Sequence, residues 1–120
     1  MGIPELKEQR KPGVTVFGSS RPAPGDPEYQ TAYDVGRELA ASGFALCNGG
    51  YGGTMEASAR GAKEAGGTTI GVLTEALGRK QANNWIDVTV PTKTLIERMM
   101  ELVARGDAYV VLKGDRKSVV

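Results

Sequence analysis

No histidine occurs anywhere in this chain, and cysteine occurs once, at Cys47. Those absences exclude Ser-His-Asp and Cys-His catalysis within one chain, and any metal site built from His and Cys. Acid–base chemistry therefore falls to Asp, Glu, Lys, Arg or Tyr, or to the substrate itself. A lone cysteine forms no internal disulfide, which fits a reducing, cytoplasmic setting and equally fits a small buried hydrophobe. Nor does charge of one sign dominate: 15 Lys and Arg against 14 Asp and Glu leave a net +1. No global basic field points to nucleic acid or to an anionic membrane. The later adjacent basic pairs, Arg79-Lys80 and Arg116-Lys117, read as solvated surface. No apolar run approaches a membrane span, and no signal peptide precedes the first strand. Neither nucleic acid nor membrane is an expected partner.

Glycine, by contrast, is abundant, at 17 residues. A chain of 120 residues is one domain with room for one hydrophobic core. A hydrophobic content of 40% with 24% charged residues fits an ordinary folded protein rather than a disordered one. The most informative stretch is Asn48-Gly49-Gly50-Tyr51-Gly52-Gly53-Thr54-Met55-Glu56, with four glycines in five positions. It follows the apolar run Phe44-Ala45-Leu46-Cys47 and opens a helix-like stretch from Met55 to Ala65. A strand feeding a glycine loop that feeds a helix N-terminus is a general device for holding phosphate. Glycine lets the backbone approach closely, and the first helical N–H groups point unpaired at an anion. The competing reading is a tight turn that needs glycine for its backbone angles. A phosphate-bearing ligand, a nucleotide, is the expectation.

Met1 to Pro12 is a polar lead-in without sustained period. Val14-Thr15-Val16-Phe17 reads as a buried strand that stops at Gly18-Ser19-Ser20. After the loop Arg21-Pro22-Ala23-Pro24-Gly25, Asp26-Pro27-Glu28 supplies an N-cap, a first-turn proline and an acidic first turn. That helix is predicted to run to about Ser42 and end at Gly43. Phe44–Cys47 is the second strand, and Ala59, Ala62 and Ala65 give the next helix a face of small residues. Thr68–Leu73 is the third strand. Leu77–Asn84 is a polar crossing, and Trp85–Val90 an alternating fourth strand. Pro91 with Thr92 or Thr94 starts a helix whose buried stripe is Leu95, Met99, Leu102 and Val103, ending at Gly106. Ala108–Leu112 is the fifth strand. Strands alternating with helices predict an α/β, Rossmann-like three-layer fold on a mainly parallel five-stranded sheet. Ligands of such sheets sit beyond the carboxyl ends of the strands, where Gly18-Ser19-Ser20, the 49–54 loop and Lys113-Gly114 converge. The predicted organisation is a polar segment 1–12, a nucleotide-binding domain 13–114 and a divergent tail 115–120.

The glycine spacing is not that of a dinucleotide fingerprint, and no Gly-Lys-Ser/Thr of a P-loop occurs. The ordered set of blocks instead resembles the Lonely Guy (LOG) family, long called "possible lysine decarboxylases", and its molybdenum-cofactor carrier relatives. The blocks are Phe17-Gly18-Ser19-Ser20, Tyr29 and Gly36, then Asn48 through Ala57, Gly61-Ala62, Gly71-Val72, Glu97-Arg98 and Asp107 through Leu112. The resemblance runs from about Val14 to Gly114. It implies N-glycosidic cleavage of a nucleoside 5′-monophosphate to free base and ribose 5-phosphate, in a homodimer, with neither metal nor cofactor expected. It further implies that Gly18, Ser19, Ser20, Gly49, Gly50, Tyr51, Gly52, Gly53 and Thr54 line an AMP-like nucleotide site. Arg98 matches the arginine held to be catalytic, where a permanent guanidinium holds the phosphate or the leaving base. Its alternative is a surface arginine pairing with Glu101 at i+3.

The family's Pro-Gly-Gly-x-Gly-Thr-x-x-Glu motif, which follows the fifth strand, is missing. The chain reads Lys113-Gly114-Asp115-Arg116-Lys117-Ser118-Val119-Val120 there. The fold is thus expected to be truncated at its C-terminal side, with an open sheet edge. A fragment, an altered gene end, and a domain completed by dimerisation all remain open. Glu56 stands where the motif's glutamate falls in register with the first loop, and is the candidate replacement acid. The helix dipole alone also favours a glutamate in that first turn. Without the second loop, a nucleotide or molybdenum-cofactor carrier that performs no catalysis is the alternative to a hydrolase, and a remnant without ligand the third. Lysine decarboxylation is least favoured, since nothing around Lys63, Lys80 or Lys93 marks an activated amine.

Overall fold

The structure, a computed structural model, describes residues 11–78 and 81–113. Arg79-Lys80, Gly114, the tail 115–120 and all of the lead-in but Lys11 and Pro12 lie outside the described residues. In chain order the elements are β1 (Gly13–Phe17), α1 (Pro27–Ala41), β2 (Ala45–Asn48), α2 (Thr54–Glu64) and β3 (Thr69–Thr74). A one-turn 3-10 helix (Glu75–Leu77), β4 (Val88–Thr92), α3 (Leu95–Arg105) and β5 (Ala108–Val111) follow. The five strands form one sheet in the order β4-β3-β2-β1-β5, every pairing parallel. This is the α/β, Rossmann-like architecture expected.

Strand composition follows position in the sheet. All four residues of β2 are buried, as a parallel strand covered on both faces requires. One face carries α1 and α2 over Val16, Leu46, Ala59 and Ala62. Here small residues decide the spacing: a Cβ on Gly36 would overlap the Ser58 backbone, and one on Gly61 the Tyr33 carbonyl. The two helices therefore meet backbone to backbone. The other face carries α3, whose Leu102 packs with Cys47 and Val72 and is flanked by Phe17, Ile70 and Val90. Burial pushes the Cys47 thiol up, so this cysteine is a packing residue rather than a nucleophile. Helix α3 returns from the β4 edge to β5 across the face opposite α1 and α2. The chain therefore reverses its direction of travel between β1 and β5, the position where open α/β sheets form a ligand crevice.

Three expectations shift. The fourth strand is Val88–Thr92 rather than Trp85–Val90, and Pro91 lies within it. β4 is an edge strand, where the missing proline N–H costs no ladder bond. Trp85 and Ile86 instead sit in the preceding turn and pack onto the face beneath α1 and α2. Helix α3 is capped by Thr94, whose side chain and that of Glu97 form a reciprocal capping box. Its buried positions are Arg98 and Leu102, one turn apart, while Leu95 and Val103 are 54% and 48% exposed. Only a narrow strip of α3 meets the sheet, so its apolar residues lie on both flanks, including Ile96 and Met100. The β5 edge is likewise open, with Val111 78% exposed. Asp26 precedes α1 as expected, but its carboxylate accepts from the Ala23 amide at 2.9 Å and closes the turn rather than capping the helix. No helix among the described residues is long and apolar enough to cross a membrane.

Candidate functional site

The loops after β1 and β2 meet at the carboxyl edge of the sheet. The Ser19 amide donates to Thr54 Oγ1 at 3.0 Å, and the Thr54 amide and hydroxyl both donate to the Ser19 carbonyl, at 2.8 and 3.1 Å. A Cβ on Gly18 would overlap Thr54 Oγ1. The Ser19 hydroxyl accepts from the Arg21 amide at 3.1 Å and so folds back into its own loop, leaving Ser20 as the exposed serine. The structure thus brings Gly18, Ser19 and Ser20 against Gly53 and Thr54, as the sequence implied.

Three side chains brace the glycine loop from three sides. From within, Asn48 Nδ2 donates to the Met55 carbonyl (2.8 Å) and Ser58 Oγ (3.0 Å), while its Oδ1 accepts from the Gly50 amide at 2.8 Å. From beneath α3, Arg98 Nη2 donates to the Gly49 carbonyl at 2.9 Å and Nε to the Val72 carbonyl at 2.8 Å. Val72 lies one residue past the last β2–β3 register pair, Asn48 with Gly71, so the guanidinium takes over where the ladder ends. Its carbon stands 5.3 Å from the centre of the Tyr51 ring, and the Tyr51 hydroxyl is tied to both backbone groups of Thr74. From the third side, Asn83 donates through its amide to the Gly50 carbonyl (2.8 Å) and through Nδ2 to that of Tyr51 (2.7 Å). Sequence reasoning missed Asn83, because nothing local separates it from the other polar residues of the crossing.

The consequence is directional. A trans peptide places each carbonyl opposite the next amide. With the Gly50 and Tyr51 carbonyls turned toward Asn83, the amides of Tyr51 and Gly52 face the other way. Among the described residues, a Cβ on Gly52 would meet only the Ser20 carbonyl, 3.9 Å away, which is an ordinary contact. Gly53 holds φ 65° and ψ −134°, a conformation that side chains resist. The four amides from Gly53 to Glu56 lack intrahelical acceptors by their place in the helix. Thr54's goes to Ser19, and the others form the positive end of α2. Consecutive outward amides followed by a helix N-terminus make an anion-binding concavity.

A cleft of about 290 Å3 opens beside this edge, lined by Pro27, Glu28, Thr31, Thr54, Leu112 and Lys113. It joins the N-termini of α1 and α2 to the end of β5, at the reversal between β1 and β5. A wider cleft of about 730 Å3, lined by Lys11, Gly13, Thr68, Arg105 and Asp107 among others, lies at the amino ends of the strands. It has no comparable set of amides, and geometry rather than volume favours the carboxyl edge. Glu56 sits in the first turn of α2, where its carboxylate accepts from the Tyr29 hydroxyl at 3.1 Å. Burial raises the Tyr29 phenol, Arg60 opposes this, and the Glu56 charge adds to the rise. Glu56 is therefore turned toward α1, whereas Arg98 is joined to the loop itself.

Comparison with known proteins follows the same lines. The profile of the SLOG cluster4 family matches residues 11–117. A cytokinin riboside 5′-monophosphate phosphoribohydrolase of Mycobacterium tuberculosis is 36% identical over 87 residues, 71% of this chain and 46% of that protein. The molybdenum cofactor binding protein of Rippkaea orientalis superposes with a TM-score of 0.76 at 29% identity, covering 88% of this chain and 64% of that one. The molybdenum cofactor carrier protein of Chlamydomonas reinhardtii gives 0.73 at 31% identity, over 86% and 63%. The chain spans about half the length of the curated relatives it matches.

Proposed function

Because the chain belongs to the SLOG cluster4 family, a nucleotide-related family, we propose that it binds a nucleoside 5′-monophosphate through its phosphate at the carboxyl edge of the sheet. The observation that carries this reading is the orientation of the glycine loop, whose carbonyls are held inward by Asn83 and Arg98. The phosphate would rest against the amides of Tyr51 and Gly52 and the α2 N-terminus, with Ser20 and Lys113 at the rim. Amides already aimed at an anion need no reorganisation when it arrives.

N-glycosidic hydrolysis is the activity proposed on the enzyme reading. The bond between ribose C1′ and the base nitrogen breaks, the base leaves with the electron pair and takes a proton, and water adds at C1′. Arg98 contributes there as a fixed positive charge beneath the loop, and Glu56 as the acid once released from Tyr29. A second reading, a carrier of a nucleotide or of the molybdenum cofactor without catalysis, is favoured by one observation. Both Arg98 and Glu56 are engaged by the protein, with backbone carbonyls and with Tyr29. For a phosphorylated cofactor the loop fits the phosphate; among the described residues no group of His, Cys, Asp or Glu is placed to ligate a metal. We further propose a homodimer formed over the exposed flank of α3, Leu95, Ile96, Met100 and Val103, in a reducing cytoplasm.

Titration calorimetry with AMP, followed by an assay of the same sample for adenine, tests the reading. Binding with adenine release supports the hydrolase, and binding without release supports the carrier. No heat at about 1 mM AMP, the weak end of specific binding, refutes the hydrolase and the nucleotide carrier alike.

A further inference from the structure

Asn83 sits in the irregular stretch between the 3-10 helix and β4, far in sequence from the loop it touches. Its backbone amide donates to the Gly50 carbonyl at 2.8 Å, and its Nδ2 to the Gly50 and Tyr51 carbonyls at 3.2 and 2.7 Å. Its Oδ1 accepts from the Trp85 amide at 2.9 Å. Two carbonyls around one atom and an amide beside the other settle the orientation of the side-chain amide. Trp85 anchors this bracket: it packs on the core beneath α1 and α2, with Arg60 5.4 Å from its ring centre.

We infer that Asn83 is the positioning residue of the glycine loop, holding the Gly50 and Tyr51 carbonyls inward so that the following amides face a bound phosphate. The inference rests on the phosphate reading of the loop given above. The need for such a residue comes from the glycines themselves. A peptide unit flanked by glycine rotates at little steric cost, exchanging its carbonyl for its amide on the ligand side. A carbonyl so exposed would repel the phosphate that the amide attracts. Asparagine suits the task because it donates twice from one end and accepts at the other. Aspartate has the same shape but places a charged acceptor against two carbonyls.

Asn83→Asp makes the role measurable, because a carboxyl regains a donor when protonated. The flanking carbonyls repel its charge and raise its pKa above the ordinary carboxyl value of about 3.9. At pH 8 the variant is expected to bind AMP about tenfold more weakly than wild type, the scale of a hydrogen bond lost beside a charged group. At pH 5 the ratio between variant and wild type should return toward one. Deuterium exchange of the peptide spanning residues 49–54, compared with wild type at the same pH, should be faster at pH 8 and recover in parallel. Equal affinity of the two proteins at pH 8, or a deficit unchanged at pH 5, overturns the inference, as does unaltered exchange. If wild type itself ignores AMP while the variant's loop exchanges faster at pH 8 only, the ligand reading falls and the bracing role stands. Asn83→Ala, with no proton to regain, should show the deficit at both pH values.

Discussion

Replacing Gly52 and Gly53 by alanine, one at a time, separates a ligand-facing glycine from a packing glycine two atoms of backbone away. At Gly53 a Cβ would overlap the Ser19 and Ser20 backbone, and φ is 65°. Strain in a glycine-only conformation costs about 1–3 kcal/mol, and forcing atoms into a filled space about 1–3 kcal/mol more. Gly53→Ala should therefore destabilise by about 2–6 kcal/mol, lowering the thermal midpoint by about 10–20 °C for a domain of this size. At Gly52 the nearest atom to a Cβ among the described residues is 3.9 Å away, and Gly52 is not one of the positive-φ glycines. Gly52→Ala should leave stability within about 0.5 kcal/mol of wild type or raise it slightly through the unfolded chain. Its methyl group would nevertheless stand over the outward amides, where phosphate has to come within about 3 Å. AMP affinity should fall at least about tenfold. Differential scanning fluorimetry and calorimetry on the same preparations give both numbers. A Gly52→Ala protein that binds AMP as wild type refutes the amide cradle. One that melts as early as Gly53→Ala refutes the geometry from which the cradle is argued.

Arg98→Ala would leave the Gly49 and Val72 carbonyls unpaired beneath α3, at about 1–3 kcal/mol for each buried acceptor; urea denaturation should show the loss, with faster exchange in the glycine loop. Leu102→Ala empties the contact with Cys47 and Val72 and should cost about 2–5 kcal/mol without changing AMP affinity in the surviving folded protein. Met100→Glu, on the exposed flank of α3, should convert the proposed dimer to monomer in sedimentation velocity while preserving the fold. Asp87 is held below the usual carboxylate range: burial opposes this, but the hydrogen bonds from Lys63 and the Thr69 amide prevail. Its contribution is therefore present above the unfolded value of about 3.9 and disappears as pH falls through the lower folded value. Asp87→Asn should flatten that acid limb of the stability profile.

Much of the fold was legible because the local signals agreed with one another. Proline, acidic first turn and terminal glycine bounded α1 within a residue or two, and Ala59 and Ala62 of the small-residue face of α2 pack on Val16 and Leu46 of the sheet; the close approach of Gly36 to Ser58 was not anticipated. The misplaced strand shows where local reading stops. Trp85-Ile86-Asp87-Val88-Thr89-Val90 alternates like a strand, yet Asp87 takes the Thr69 amide and Lys63, and Trp85 takes the core. That leaves Val88 to begin the pairing. The stripe on α3 failed for a related reason, since periodicity identifies an apolar face but not what covers it. At the site, Ser19, Thr54 and the glycines were visible as a motif on consecutive residues. Asn83 was not, because its role exists only through contacts more than thirty residues away in sequence.

The glycine loop also shows that a structural and a functional reading of one motif need not compete. Gly49 is confined by Arg98, Gly50 by Leu73 and Gly71, and Gly53 by Ser19 and Ser20. Packing alone explains these three. A loop of free glycines would be a poor anion site, because each ordered residue costs about 1–2 kcal/mol of backbone entropy when the ligand arrives. Here the protein has already ordered the loop, through Asn48, Asn83 and Arg98, before any ligand enters. Among the described residues Gly52 is the least confined of the four, between two held carbonyls and a helix N-terminus. On the proposed phosphate reading, packing demand at three glycines leaves the fourth for the ligand. Arg98, buried beneath the loop, holds the Gly49 and Val72 carbonyls, so on that reading it has two contributions to separate, its charge and the backbone it holds. Arg98→Lys, which keeps the charge but loses the two-pronged grip on Gly49 and Val72, should weaken AMP binding nearly as much as Arg98→Ala. Calorimetry showing wild-type affinity in Arg98→Lys would mean that charge, not position, is what this arginine supplies.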